Sequence, residues 1–170
     1  MASGFVLYAA LGDAGMAGNT TVRMGEGVAF EDGDDRGCIL VFGHQTGGRY
    51  SLMEYVVAAR PPIETAEPPN FGAHRHLDIE ETFLVRRGRL RFLLGTDVFD
   101  IEPGDFVRVP AGVRHGYANV SGDEVDLLVS FHPGGFEELF VTHRSDQTPP
   151  PSPTGFVDDA VRLFASDFET

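Results

Sequence analysis

The chain has 170 residues, a hydrophobic content of 42% and a formal net charge of −13, long enough for one domain with a real core. That acidic excess argues against nucleic acid or an anionic membrane as a partner, and no apolar run approaches the ~20 residues of a membrane-spanning helix. A lone cysteine, Cys38, leaves no intramolecular disulfide, and Met1–Ala10 lacks the basic start of a secretory signal, so a reducing cytoplasm is the expected setting.

Residues 1–35, rich in Gly, Ala, Asp and Thr, read as an N-terminal arm with short strands around Thr21–Met24 and Val28–Phe30. A strand over 38–43 follows, in which Cys38 serves as a small packed hydrophobe. Gln45-Thr46-Gly47-Gly48 makes a turn, and Tyr50–Ala59 is the next strand. The prolines of Arg60–Pro69 restrict that segment to extended or turning backbone. It runs directly into two histidines, His74 and His76.

Beyond Gly88, short apolar segments alternate with turns. Arg89–Leu94, Val98–Ile101, Phe106–Val109, Gly116–Val120 and Val125–His132 are separated by Gly95-Thr96-Asp97, Pro103-Gly104 and Ser121-Gly122-Asp123. Strands at this spacing predict an all-β sandwich or barrel, with Phe83, Phe92, Phe99, Phe106 and Phe131 supplying its core or pocket lining. Phe136–Thr142 has helical spacing, with Phe136, Leu139 and Phe140 on one side. The Gln147–Pro153 linker excludes regular structure. Val157–Phe168 reads as a second short helix whose Val157, Ala160, Val161 and Phe164 pack back on the barrel.

The chemistry concentrates in Gly72–Asn119. His74 and His76 are two apart, so on a strand both imidazoles leave one face. Glu81 stands at an odd offset from His76; a break over Leu77–Glu80 lets it restart inward with Phe83 and Val85, and Glu80 is its rival. His115 arrives from a distant part of the chain, after the Pro110-Ala111-Gly112 turn. Three imidazoles and one carboxylate meeting at a point make a transition-metal site with one or two open positions. Tyr117, two residues after His115, shares its face, where it either meets a substrate or simply lines the interior. His44, His132 and His143 fit no ligand spacing and read as ordinary structural or surface histidines.

This stretch resembles the cupin family. Gly104, Pro110, Gly112, His115 and Asn119 stand at the spacing of its second motif, and His74, His76, Glu81 and Gly88 at that of its first. The family's leading glycine is the departure, because Pro68 occupies its place. Counting back from Gly88 favours Glu81 over Glu80. The resemblance implies a single-domain, double-sheet jelly-roll barrel over 36–135, with the arm at 1–35 and a helical tail at 136–170. It further implies one divalent metal per chain on His74, His76, Glu81 and His115, with iron first and Mn, Ni, Cu, Co or Zn as the other candidates.

The Gln45–Gly48 turn and Pro133-Gly134-Gly135-Phe136-Glu137 resemble bacterial single-domain members related to quercetin dioxygenases. That likeness implies Glu81 as the group taking a substrate hydroxyl proton, Tyr117 and Phe83 as pocket residues, and arms pairing across a homodimer. The expected activity is dioxygenation of an aromatic or enolisable small molecule. The alternatives are a non-oxidative cyclase or isomerase, or a cupin that only binds a small molecule. No basic cluster near the motifs suits a sugar nucleotide's diphosphate.

Overall fold

A computed structural model describes residues 21–23, 26–61 and 72–142. The linker at 147–153, the helix expected over Val157–Phe168, His143 and most of the proline-rich approach lie outside the described residues. Nine strands run as β1 (Val28–Asp32), β2 (Asp35–Val41), β3 (Ser51–Val57), β4 (Glu80–Arg87), β5 (Leu90–Leu94), β6 (Asp97–Ile101), β7 (Phe106–Val109), β8 (His115–Asn119) and β9 (Val125–His132), followed by one helical turn, α1 (Glu138–Thr142).

The strands form two antiparallel sheets, one ordered β1-β2-β3-β9-β4-β7 and the other β6-β5-β8. Strict alternation produces this arrangement. In β3 and β4 every second residue is buried, so Met53, Tyr55, Phe83 and Val85 turn inward and meet Leu90, Phe92 and Ile101 of the smaller sheet in one core. The opposite face of the larger sheet carries ion pairs, including Arg36 with Glu124 and Arg86 between Glu54 and Asp126. Exposed pairs of this kind contribute little stability and mainly keep the face polar. Gly88, between β4 and β5, has φ 82, and a Cβ there would sit 2.8 Å from the Glu124 carbonyl oxygen. Glycine is required at that corner.

Three expectations need correction. Phe106 is 61% exposed, because Val107 and Val109 take the inward positions of β7 and leave Phe106 on the outer face. Phe99 pairs with buried Phe92 across the strands but is 37% exposed, since β6 is an edge strand with no neighbour beyond it. Thr21–Arg23, the described part of Thr21–Met24, form no strand. There the Arg23 N–H donates to Glu26 Oε2 and the Glu26 N–H to the Arg23 carbonyl, a local turn that withdraws those groups from a ladder. The Gln45–Gly48 turn is a single 3-10 turn, Gly43–Thr46, closed by Gly47 at φ 67.

Candidate metal centre

Backbone pairing brings the two halves of the site together. His74 and His115 form an isolated antiparallel bridge, with the His74 N–H donating to the His115 carbonyl at 2.9 Å and the reverse bond at 2.8 Å. Residues paired in this way project their side chains to one face. The Gly112 N–H donates to the His76 carbonyl at 2.7 Å, so the turn that delivers His115 also pins His76. Bends at Leu77 and Asp78 end the histidine segment, and β4 begins at Glu80 with Glu81 pointing inward and Glu80 half-exposed. The break expected from the odd offset is present.

One donor atom from each of His74, His76, Glu81 and His115 lies within 4.8 Å of the other three. Two ligands on opposite sides of one ion would be about 4.2 Å apart, twice a ~2.1 Å metal–nitrogen bond. Three of the four residues are buried, and His74 is the partly exposed one. The Nδ1 atoms of His74 and His115 lie 2.8 Å and 3.0 Å from the carbonyl oxygens of Gly72 and Val113. A carbonyl only accepts, so each Nδ1 carries a proton and each ring turns its Nε2 away from that carbonyl. This is how a second hydrogen bond orients metal-binding imidazoles.

The Glu81 carboxylate faces two imidazole nitrogens. His115 Nε2 lies 2.9 Å from Glu81 Oε2, and the buried His76 Nε2, 3.4 Å from the same oxygen, has no hydrogen-bond partner. A lone pair facing a carboxylate needs a cation between them, a proton or a metal ion. Burial alone would raise the Glu81 carboxyl, but the His115 and His76 imidazoles outweigh it and hold it down to about 2. Burial would likewise lower His115, and the Glu81 bond reverses this and raises it. His74 is lowered by burial and by the neighbouring His115. The residues present therefore fit a divalent metal, with two oriented imidazoles, one buried carboxylate and an orphaned Nε2.

Around the cluster the walls are aromatic. Phe136 packs edge-on against His76 at 4.5 Å between ring centroids, and Phe83 lies 6.4 Å from His115. Tyr117, on the same side of β8 as His115, packs against Phe83 at 5.8 Å and Phe92 at 6.2 Å. It is half-buried, and burial pushes its phenol well above the usual range. His44 and His132 are exposed, the former against Phe42 and the latter hydrogen-bonded to Ser130. Asn119 has a structural role: its Nδ2 donates to the Ala58 and Asp123 carbonyls, and its Oδ1 accepts from the Ser121 N–H.

Residues 63–131 match the family model described as Cupin domain. That stretch is similar to a cupin domain. It is 33% identical over 101 residues to Vicilin C72 of Gossypium hirsutum, covering 54% of this chain and 17% of that protein. It is 29% identical over 96 residues to Quercetin 2,3-dioxygenase of Bacillus subtilis strain 168, covering 56% of this chain and 26% of that one. The chain thus spans only a minor part of the curated relatives it matches. Among solved structures, Streptomyces PAC13 with uridine aligns with a TM-score of 0.53 at 16% identity over 72% of this chain and 88% of its own. KdgF from Halomonas sp. aligns at 0.51 and 15% identity over 65% and 90%. At such identities the likeness is one of fold.

Proposed function

We propose that this cupin is a metal-dependent enzyme, a dioxygenase acting on an aromatic or enolisable small molecule. The observation that carries the metal is the convergence of donor atoms from His74, His76, Glu81 and His115 within 4.8 Å, with the buried His76 Nε2 left unpartnered. The partial likeness to a quercetin 2,3-dioxygenase favours oxygen chemistry. His74, His76, Glu81 and His115 would hold the ion, which when bound would supply Lewis acidity and, for a redox-active metal, a route for electrons to dioxygen.

The chain's own residues do the remaining work. A site carrying a divalent charge and a single carboxylate attracts an enolate or phenolate oxygen despite the acidity of the whole protein. Glu81 Oε2 lies against His115 Nε2; we assign to the Glu81 carboxylate the proton released by the substrate hydroxyl. Phe83, Phe136 and Tyr117 supply apolar and aromatic surface that keeps water from the reacting atoms. Both oxygen atoms enter the substrate in such a reaction, so no separate reductant is needed.

An oxygen electrode tests this directly. Iron- or nickel-loaded protein offered flavonols and related enolisable polyphenols should consume oxygen, and the zinc form should not. Turnover that proceeds equally without oxygen, or best with zinc, would replace the dioxygenase with a non-oxidative cyclase or isomerase on the same ligand set.

A further inference from the structure

The smaller sheet ends in an open strand, β6. A sheet edge exposes unpaired N–H and C=O groups, and proteins blunt it with charge, proline, bulges or a covering segment. The other outer strands carry such devices. β1 ends in Glu31 and Asp32 and is covered by α1 through the Phe30–Phe140 contact. β7 is four residues long, carries Arg108 and stops at Pro110, and β8 is bridged by His74. β6 instead pairs with β5 in unbroken register over its whole length. It holds two exposed apolar side chains, Val98 at 48% and Phe99 at 37%, one on each face.

The hairpin geometry says which backbone groups are free. Gly95-Thr96 is a two-residue loop, so Leu94 and Asp97 close it as a hydrogen-bonded pair. Alternation then makes Phe92↔Phe99 and Leu90↔Ile101 the next such pairs. Val98 and Asp100 therefore turn their N–H and C=O groups away from β5, toward the open side. Glu102, next in that series, already gives its N–H to Asp105 Oδ2 at 2.8 Å. That bond stops the edge just beyond Asp100.

Two free residues spaced in this way are self-complementary. With a second copy lying antiparallel and Phe99 on the two-fold axis, Val98 of each copy faces the partner's Asp100, and the free groups of both residues are used. Side-chain chemistry favours this register over its neighbours. Centring on Asp100 sets two carboxylates face to face, and centring on Val98 leaves Asp100 opposite Thr96 of the turn. Centring on Phe99 puts Asp97 against the partner's Ile101 and Asp100 against the partner's Val98. No acid then opposes an acid in the seam, although each copy carries a net charge of −13. Asp100 is also matched on its own sheet, by Arg91 at 2.7 Å and Arg89 at 3.8 Å. Phe99 already stacks on Phe92 at 6.0 Å, and its open side would be closed by the partner's Phe99.

We propose that the β6 edge joins two copies of this chain, antiparallel about Phe99, so that their smaller sheets run on as one. The inference goes beyond the metal reading and does not depend on it.

Cysteine pairs read the register, in a Cys38→Ser background that removes the native thiol. Val98 and the partner's Asp100 would stand about 5.5 Å apart at Cα, within the span of a disulfide. Both side chains are exposed, so substitution there spares the fold. Co-expressed Val98→Cys and Asp100→Cys chains should cross-link to each other on mild oxidation, and neither variant alone should cross-link. Sedimentation of the unsubstituted protein over a concentration series should show a monomer–dimer equilibrium. Val98→Glu sets an acid against the partner's Asp100 on both sides of the axis and should weaken the dimer by about tenfold. Val98→Lys should hold or strengthen it. The same two charges at exposed Ala59, away from the seam, should differ from each other much less. A protein that sediments as a monomer throughout overturns the proposal. So does a dimer in which the mixed pair fails to cross-link, one variant cross-links alone, or glutamate and lysine at position 98 act alike.

Discussion

Glu81 and Glu137 are both buried carboxylates, and their surroundings are opposite in kind. Glu137, fully buried just before α1, accepts the Gly43 N–H at 2.6 Å through Oε1 and the Gly135 N–H at 2.7 Å through Oε2. Each oxygen has a donor, and the group clamps the turn after β2 to the loop after β9. Glu81 has the imidazole nitrogens of His115 and His76 instead. Burying a charge is costly without partners. Where backbone donors are supplied, as at Glu137, the charge is structural; where the donor atoms of three imidazoles converge on the carboxylate, as at Glu81, the fitting partner is a cation.

The largest expected effect comes from breaking the Glu81 side. Glu81→Gln and His115→Ala should each weaken metal binding by more than about 100-fold, the upper end of what losing a mere supporting contact costs. Elemental analysis after dialysis against a mild chelator reads this out. Full metal occupancy in His115→Ala would remove it from the ligand set.

Phe136 connects the two carboxylates, since it precedes Glu137 in sequence and packs against His76 and Phe131. Phe136→Ala should lower stability by about 3–5 kcal/mol, as expected for emptying a buried aromatic site, and should speed metal loss by uncovering His76. Denaturation of metal-free protein separates the first effect from the second. An unchanged midpoint would mean that the loop does not depend on this ring.

Glu137→Gln should cost about 1–3 kcal/mol, because the amide nitrogen would face a backbone donor and leave one N–H unsatisfied. Metal content should not change. A loss of metal without a loss of stability would show that the clamp serves the site and not the fold, and the contrast between the two carboxylates would collapse.

Much of this site was legible because its determinants are local. Spacing within Gly72–Gly88 and Gly104–Asn119 identifies all four clustered residues, and the polar break over Leu77–Glu80 accounts for the inward turn of Glu81. Glu137 was not legible as a clamp, since its partner Gly43 is 94 residues away and nothing near either residue marks the contact. The hairpin β1–β2 was half legible: Val28–Phe30 carried a strand signal, but Asp32-Gly33-Asp34-Asp35 reads as polar arm until Tyr55 gives its carboxylates a role. Phe99 and Phe106 were misread for want of parity and edge information. Hydrophobicity alone does not say which face a residue takes, and a strand at a sheet edge leaves even an inward ring partly uncovered.

The smallest expected effect tests the register on which the assignment depends. Glu80 and Glu81 are adjacent acids, and the motif spacing admits either until Gly88 is counted. On β4 they point to opposite faces. Glu80 lies on the outer face in a hydrogen-bonded ion pair with Arg108, and that pair holds its carboxyl below the usual range. Pairs this exposed contribute little to stability. Glu80→Gln should therefore leave metal content, ligand binding and the denaturation midpoint unchanged within error. Arg108→Gln should behave the same way, because Thr82↔Arg108 and Glu81↔Val109 pairing in the ladder is made by backbone groups. Metal loss in Glu80→Gln with retention in Glu81→Gln would shift β4 by one residue. That shift would turn Phe83 and Val85 out of the core and Leu84 into it, an arrangement that a Leu84→Ser variant of normal stability would independently exclude.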